Sequence, residues 1–210
     1  MSQKAKKFWY LWDKAGILCI LLMVMVVFGI LDSRIVSPSQ LMTALSRSAV
    51  SGIAAAGMMF AIVAGGFDLS VGSILSLTSC VIATQLISGK GTAVSILTAL
   101  AVAALCGVVN GLIITKLKIQ TFVATLATQL AFAGVTLVYC NKAIQLTSKV
   151  NTGLKFFSTG KLFGLIPMPI VLLILIYLIT AFVYFLTPFG TKTRAIGSNE
   201  AAARTTGIRV

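Results

Sequence analysis

The sequence predicts an all-α, polytopic transmembrane helical bundle of about six spans, and three observations predict it. The 210 residues are 58% hydrophobic and 10% charged, with a mean hydropathy of +1.04, whereas soluble domains carry roughly 25% charged residues. Six apolar stretches of 17 to 24 residues hold 111 residues without one Asp, Glu, Lys or Arg, and all 21 charges fall elsewhere. A bilayer core needs about 20 apolar residues per helix, with a range near 17–25. Runs such as Ile17-Leu18-Cys19-Ile20-Leu21-Leu22-Met23 lack the two-residue alternation of a membrane barrel strand, and a helix satisfies its own backbone in lipid.

Each element follows from its own residues. Residues 1–14 form a basic N-terminus with Lys4, Lys6, Lys7 and Lys14. The first span, 15–31, exceeds the usual apolar core of a signal peptide and exits into Asp32-Ser33-Arg34 without a small-residue cleavage site, so it is read as retained. The second span, 49–66, carries the small-residue sets Gly52/Ala56 and Gly57/Ala61/Gly65. A third span, 71–87, follows with almost no loop. The fourth, 92–115, repeats Ser95, Ala99, Ala103, Gly107 and Gly111 every four residues, which reads as one close-packing ridge in a compact bundle. The fifth span covers 122–139 and the sixth 170–186, separated by the Asn141–Pro169 loop with four lysines. Pro188 and Gly190 end the sixth span. An Ala-rich helix is expected between the possible caps Ser198 and Asn199 and Gly207. A helix this short is marginal alone and should dock on something; the plainer reading is a basic segment lying on anionic headgroups.

Orientation follows from Lys and Arg in the loops. With the N-terminus inside, Lys4, Lys6, Lys7, Lys14, Lys116, Lys118, Lys192, Arg194, Arg204 and Arg209 are cytoplasmic, ten residues against seven outside. The tail 188–210 is then cytoplasmic too.

Composition also excludes chemistry. The chain has no His and only four acids, Asp13, Asp32, Asp68 and Glu200. That inventory suits neither a metal site nor a Ser/His/Asp triad nor a carboxylate dyad. The formal charge of +13 lies in membrane-flanking loops, which argues against nucleic acid. Cys19, Cys80 and Cys106 lie inside apolar runs, Cys140 just beyond one, and none has C-x-x-C spacing, so they read as small hydrophobes. Gly89-Lys90-Gly91-Thr92 and Gly190-Thr191-Lys192-Thr193 both lack the full phosphate-loop form, so no ATP hydrolysis is expected of this chain.

Two places break the pattern. Ala64-Gly65-Gly66-Phe67-Asp68-Leu69-Ser70-Val71-Gly72-Ser73 joins the second and third spans. Either Asp68 caps the next helix in a tight turn, or the break lies at membrane depth beside a solute path; both can hold together. Neutral polar residues also lie within or beside the spans: Gln85, Asn110, Thr121, Thr125, Thr128, Gln129 and Thr136. They serve interhelical hydrogen bonds or a path for a neutral, hydroxylated solute. No Lys, Arg or Glu lies inside a span, which counts against a proton- or ion-driven pump.

These residues carry a resemblance. Gly65-Gly66-Phe67-Asp68-Leu69-Ser70-Val71-Gly72-Ser73 resembles the G-G-[IF]-D-L-S-V-G-S motif of the permease subunits of bacterial ABC importers for simple sugars, the ribose/arabinose/allose group. Val109-Asn110-Gly111, Lys116-Leu117-Lys118-Ile119 and Thr125-Leu126-Ala127-Thr128 are similar to the stretches that follow it. Ala195-Ile196-Gly197-Ser198-Asn199-Glu200, with Ala202-Ala203-Arg204 and Gly207, resembles the cytoplasmic loop that such permeases press into their ATPase.

The resemblance implies a pathway and motif set of Gly65, Gly66, Asp68, Ser70, Gly72, Asn110, Thr125 and Gln129. It implies ATPase coupling through Asn199, Glu200, Ala202, Ala203, Arg204 and Gly207. It further implies a second permease copy, cytoplasmic ATP-binding subunits that carry the ATP and Mg, a periplasmic sugar-binding protein and a bacterial inner membrane, with no cofactor in this chain. A pentose such as ribose or arabinose is the expected solute. Ala201 stands where many relatives have Glu, so Glu200 is one position farther from Gly207 than their pattern. Relatives also continue with further spans, so a C-terminally truncated product is expected. The rival readings are a transport-incompetent half-permease or membrane scaffold and, more remotely, a secondary transporter or channel.

Overall fold

A computed structural model describes residues 3–142, 144 and 154–208. Its elements run α1 (Gln3–Leu31), α2 (Pro38–Val63), α3 (Val71–Ile87), α4 (Thr92–Lys116), α5 (Thr121–Tyr139), α6 (Leu154–Thr159), β1 (Lys161–Leu162), β2 (Ile166–Pro167), α7 (Met168–Leu186), α8 (Pro188–Ser198) and α9 (Glu200–Thr205). Among the described residues four helices, α2, α4, α5 and α7, are long and apolar enough to cross a membrane. The apolar stretch Ala15–Leu31 within α1 and the shorter apolar helix α3, Val71–Ile87, complete the six stretches read from the sequence. The polytopic helical class is therefore as expected; α3 has the bounds of the third apolar stretch, whereas α2 starts at Pro38 and ends at Val63 where the sequence reading gave 49–66. Lys149 and Arg209 fall outside the described residues.

The chain divides into two compact units, Met1–Ser48 and Ala49–Val210. In the first, the basic N-terminal stretch is continuous with α1 from Gln3. Asp32 ends that helix: its Oδ1 accepts the N–H of Arg34 at 2.9 Å, and its carbonyl accepts from Ile35. Val36 packs against Gly29, where a Cβ would sit 3.1 Å from Val36 Cγ1.

In the second unit α3 lies against both α4 and α5. At one end Asn110 of α4 bonds Ser70 and Thr125 of α5 bonds the Phe67 carbonyl. At the other end the hydroxyls of Thr84 and Tyr139 meet at 2.9 Å. Thus α3 and α5 run parallel, with α4 antiparallel between them in sequence. Ser73, Leu77 and Val81 form the buried stripe of α3, and Ser95, Ala99, Cys106, Asn110, Ala124, Thr125 and Thr128 face it. These residues are mostly small, as close helix approach in lipid requires. The outward positions are apolar: Leu97, Leu130, Leu137 and Val138 are exposed, which suits helices whose solvent is hydrocarbon.

A second group joins α2 to α7 and the tail. Gly52 meets Leu173, and Phe60 meets the ring of Tyr184 with centroids 6.3 Å apart, so α2 and α7 are parallel. Within each group the directions are thus set: α2 and α7 are parallel, and α4 is antiparallel to α3 and α5. Between α5 and α7, α6 and a tight hairpin occupy the described part of the expected loop; Phe163 and Gly164 both adopt positive φ in its turn.

One packing expectation fails in part. Ser95 and Ala99 are buried, but at Gly107 and Gly111 a Cβ would meet nothing within 4 Å. A four-residue step advances 400° on a helix of 3.6 residues per turn, so five such positions wander about 160° around the axis. The packed face moves to Cys106 and Asn110 instead. Likewise Gly52 and Ala56 face neighbours whereas Gly57 does not.

Candidate functional site

The break between α2 and α3 is built by glycine geometry first. Gly65 has φ +90°, a conformation that costs L side chains roughly 1–2 kcal/mol. It lets the chain close a Schellman cap on α2, with Gly65 N–H on the Ile62 carbonyl at 3.0 Å and Gly66 N–H on Ala61 at 2.9 Å. Gly66 then passes close to α5: a Cβ there would approach Thr121 Cγ2 to 2.9 Å.

Asp68 is not the helix cap. The N-cap of α3 is Ser70, and its hydroxyl makes no capping bond. Asp68 stands two residues earlier, where its Oδ1 accepts both the Ser70 N–H at 2.8 Å and the Ser70 hydroxyl at 2.6 Å. Asn110 Nδ2 then donates to Ser70 Oγ at 2.7 Å. The order of this relay is fixed chemically. A carboxylate only accepts, so the single Ser70 proton points to Asp68 and Oγ must receive the amide N–H. Asn110 Oδ1 is consequently turned away from Ser70, and among the described residues it is buried without a hydrogen-bond partner. Thr125, 1% exposed, holds its one hydroxyl proton between the Phe67 carbonyl at 3.0 Å and the Thr121 carbonyl of its own helix at 2.9 Å. An extended segment leaves such carbonyls without helical partners, and apolar surroundings demand one.

The fold therefore gathers Gly65, Gly66, Asp68, Ser70, Asn110 and Thr125 around one joint. It leaves out Gly72, which faces open space in the first turn of α3, and Gln129, half-buried a turn beyond Thr125 and absent from these bonds.

The tail differs from the expected single short helix. Thr187 and Pro188 do not merely end α7; they start α8, with Thr187 as N-cap and Pro in the first turn, the position where its missing N–H costs nothing. Gly190, Thr193 and Gly197 share one face of α8, at spacings of three and four residues. Gly190 and Thr193 are buried. A Cβ at Gly190 would collide with the Tyr184 carbonyl, and one at Gly197 with the Val63 carbonyl. That i, i+3, i+7 pattern was visible in the sequence and is the signal for a helix seated on a backbone. Phe189 stacks on Phe60 at 5.6 Å, and the Arg194 guanidinium lies 4.9 Å from the Tyr184 ring centre.

Helix α9 has Asn199 as N-cap, its Oδ1 accepting from Ala202 N–H at 3.0 Å. Arg204 pairs with Glu200 at 2.8 Å; both are mostly exposed. Ala202 is exposed whereas Ala203 is buried. Gly207 (φ +84°) closes the end: its N–H bonds the Arg204 carbonyl and the next N–H, of Ile208, bonds Ala203. Of the six residues, Asn199 and Gly207 shape the helix, Ala203 packs it, and Glu200, Ala202 and Arg204 are presented outward.

Comparison with known proteins places this architecture. The family described as "Branched-chain amino acid transport system / permease component" matches residues 40–210. The ribose import permease protein RbsC of Bacillus subtilis is 38% identical over 209 residues, covering 100% of this chain and 65% of that protein. RbsC of Escherichia coli K12 is 34% identical, covering 97% of this chain and 63% of its own length. The L-arabinose transport system permease protein AraH of E. coli K12 is 31% identical, covering 95% and 60%. The chain thus spans somewhat less than two-thirds of these relatives. No solved structure gives a significant match. The chain belongs to the family of transport-system permease components, of the ABC importer type, that its motifs and helical architecture resemble.

Proposed function

We infer that the chain acts as a transmembrane permease subunit of an ATP-driven importer for a neutral simple sugar, a pentose such as ribose or arabinose. The observation that carries this reading is the match, over nearly its whole length, to proteins named for ribose import. The geometry supports it. The spans hold neutral donors and acceptors in place of ionised groups, and Asn110 holds an open acceptor in a fixed orientation, suited to a sugar hydroxyl or a water standing in for one. Gln129 and Asn110 are the side chains offered to the solute; Asp68, Ser70 and the two glycines hold the joint.

Power comes from a separate ATP-binding subunit. The α8–α9 tail is its seat, with Glu200, Ala202 and Arg204 facing the partner. The N-terminus and tail are cytoplasmic, a second permease copy completes the membrane unit, and a periplasmic binding protein delivers the sugar. Nucleotide-driven closure of the ATPases then shifts the spans between outward and inward access.

Co-purification tests the assembly. The tagged chain should capture the ATP-binding subunit of its own transport system, and Arg204→Glu with Gly207→Trp should abolish capture. Retention by the double variant removes the tail from the interface. Capture without sugar uptake in proteoliposomes would instead mark a transport-incompetent half-permease.

A further inference from the structure

The joint between α2 and α3 is held from both sides, and the two sides belong to different parts of the molecule. On one side, α8 rests on the last turn of α2. Gly197 lies so close to the Val63 carbonyl that no Cβ fits, with Ala64 Cα also in contact range. On the other side, the same strand of backbone is fastened to α4 and α5. Gly66 abuts Thr121, the Phe67 carbonyl lies 3.0 Å from the Thr125 hydroxyl that it shares with the Thr121 carbonyl, and Asp68 and Ser70 connect to Asn110.

Little slack lies between these attachments. Gly65 and Gly66 are consumed by the Schellman cap. Ser70 begins α3, and Asp68 fixes the Ser70 N–H and hydroxyl together. A displacement of α8 that moves Val63 must either break the cap or pull on Phe67 and Ser70. Those two are the points bonded to the neighbouring helices.

We propose that residues 64–70 are a strap that delivers movement of the α8–α9 tail to α4 and α5, anchored by the Thr125–Phe67 and Asn110–Ser70 hydrogen bonds. Thr125 is then a positioning residue for alternating access, and Asn110 anchors the strap through Ser70 besides facing the solute, a role that rests on the reading of the tail as the ATPase seat. A chain of contacts is not yet coupling, so the measurements must separate transmission from mere stability.

The first measurement needs no partner. With the full chain in lipid nanodiscs, spin labels at Lys192 on α8 and Leu112 on α4 report the distance across the strap. The unsubstituted strap and Thr125→Ser, which keeps the hydroxyl, should give one narrow distance distribution. Thr125→Val and Asn110→Leu should broaden it, while a second label pair at Ser88 and Val138, beyond the strap, stays as it was. An unchanged Lys192–Leu112 distribution in both variants overturns the strap, and broadening of both pairs alike shows general loosening, which overturns it as well.

The second measurement uses the assembled transporter. ATP hydrolysed per sugar imported should rise about fivefold or more in Thr125→Val, the low end of ordinary allosteric coupling, return to normal in Thr125→Ser, and rise equally for two different pentoses. A rise for one sugar alone assigns Thr125 to the solute path and defeats the proposal, as does a proportionate fall in hydrolysis and uptake. If the unsubstituted chain captures no ATPase, the functional reading fails, while the nanodisc distances still decide whether the strap exists.

Discussion

Asp68 is the one acid near the middle of the chain, yet its observed work needs an oxygen acceptor and no negative charge: one Oδ1 receives the N–H and hydroxyl of Ser70. Asp68→Asn should therefore leave stability and uptake close to normal, whereas Asp68→Leu strands both donors and should cost about 1–3 kcal/mol. Thermal unfolding in detergent distinguishes them; an Asn variant as unstable as Leu would make the charge itself essential. Gly65 and Gly197 fail in different ways when enlarged. At Gly65 there is room for a Cβ but φ is +90°, so Gly65→Ala should lose roughly 1–2 kcal/mol through backbone strain alone. At Gly197 the obstacle is the Val63 carbonyl, and Gly197→Ala should lift α8 from α2. Limited proteolysis should then cut between Leu186 and Asn199, and equal protease resistance would remove Gly197 from the contact.

At the scale of elements, α4 shows how a sequence pattern misleads when its period is slightly wrong. Small residues every four positions look like one ridge, but only the upper part packs. Ala99→Leu should cost about 1–3 kcal/mol by overpacking, while Gly107→Ala should be neutral or stabilising by up to about 1 kcal/mol through helix propensity. Comparable losses at both would restore the single ridge. In the tail the short helix between Asn199 and Gly207 is as expected, but α8 before it was missed for a related reason. Pro188 ends one helix, and the same residue, preceded by Thr187, begins another. Sequence signals for a stop and a start coincide there, and only the neighbouring backbone of α2 and α7 shows why α8 continues to Ser198.

At the scale of the whole chain, the antiparallel course of α3, α4 and α5 agrees with successive membrane crossings, and the lysine and arginine balance predicts which end faces in. Impermeant thiol labelling of intact cells should modify Lys155→Cys and spare Lys192→Cys; labelling of Lys192→Cys from outside inverts the topology. The apolar stretches were legible because hydrocarbon excludes ionised side chains so strongly that a charge-free run of the right length has few alternatives, but α2 begins at Pro38, eleven residues before the stretch read from the sequence, and carries Arg47. The motif residues Gly65, Gly66, Asp68, Ser70, Asn110 and Thr125 were legible one by one. Their assembly was not, since Ser70 and Asn110 lie 40 positions apart, and Phe67 and Thr125 lie 58 apart.

By itself, then, the amino-acid order determined what the solvent dictates: the helical class and the six apolar stretches free of ionised groups. The tertiary structure alone decided which small residues touch, that Asp68 serves Ser70 and does not cap α3, and that a glycine in the tail sits on the carbonyl of Val63. The division has a physical cause. Transfer into lipid depends on each segment's own composition, whereas hydrogen bonds and close approach depend on the rotation of each helix about its axis, which is fixed only by its neighbours.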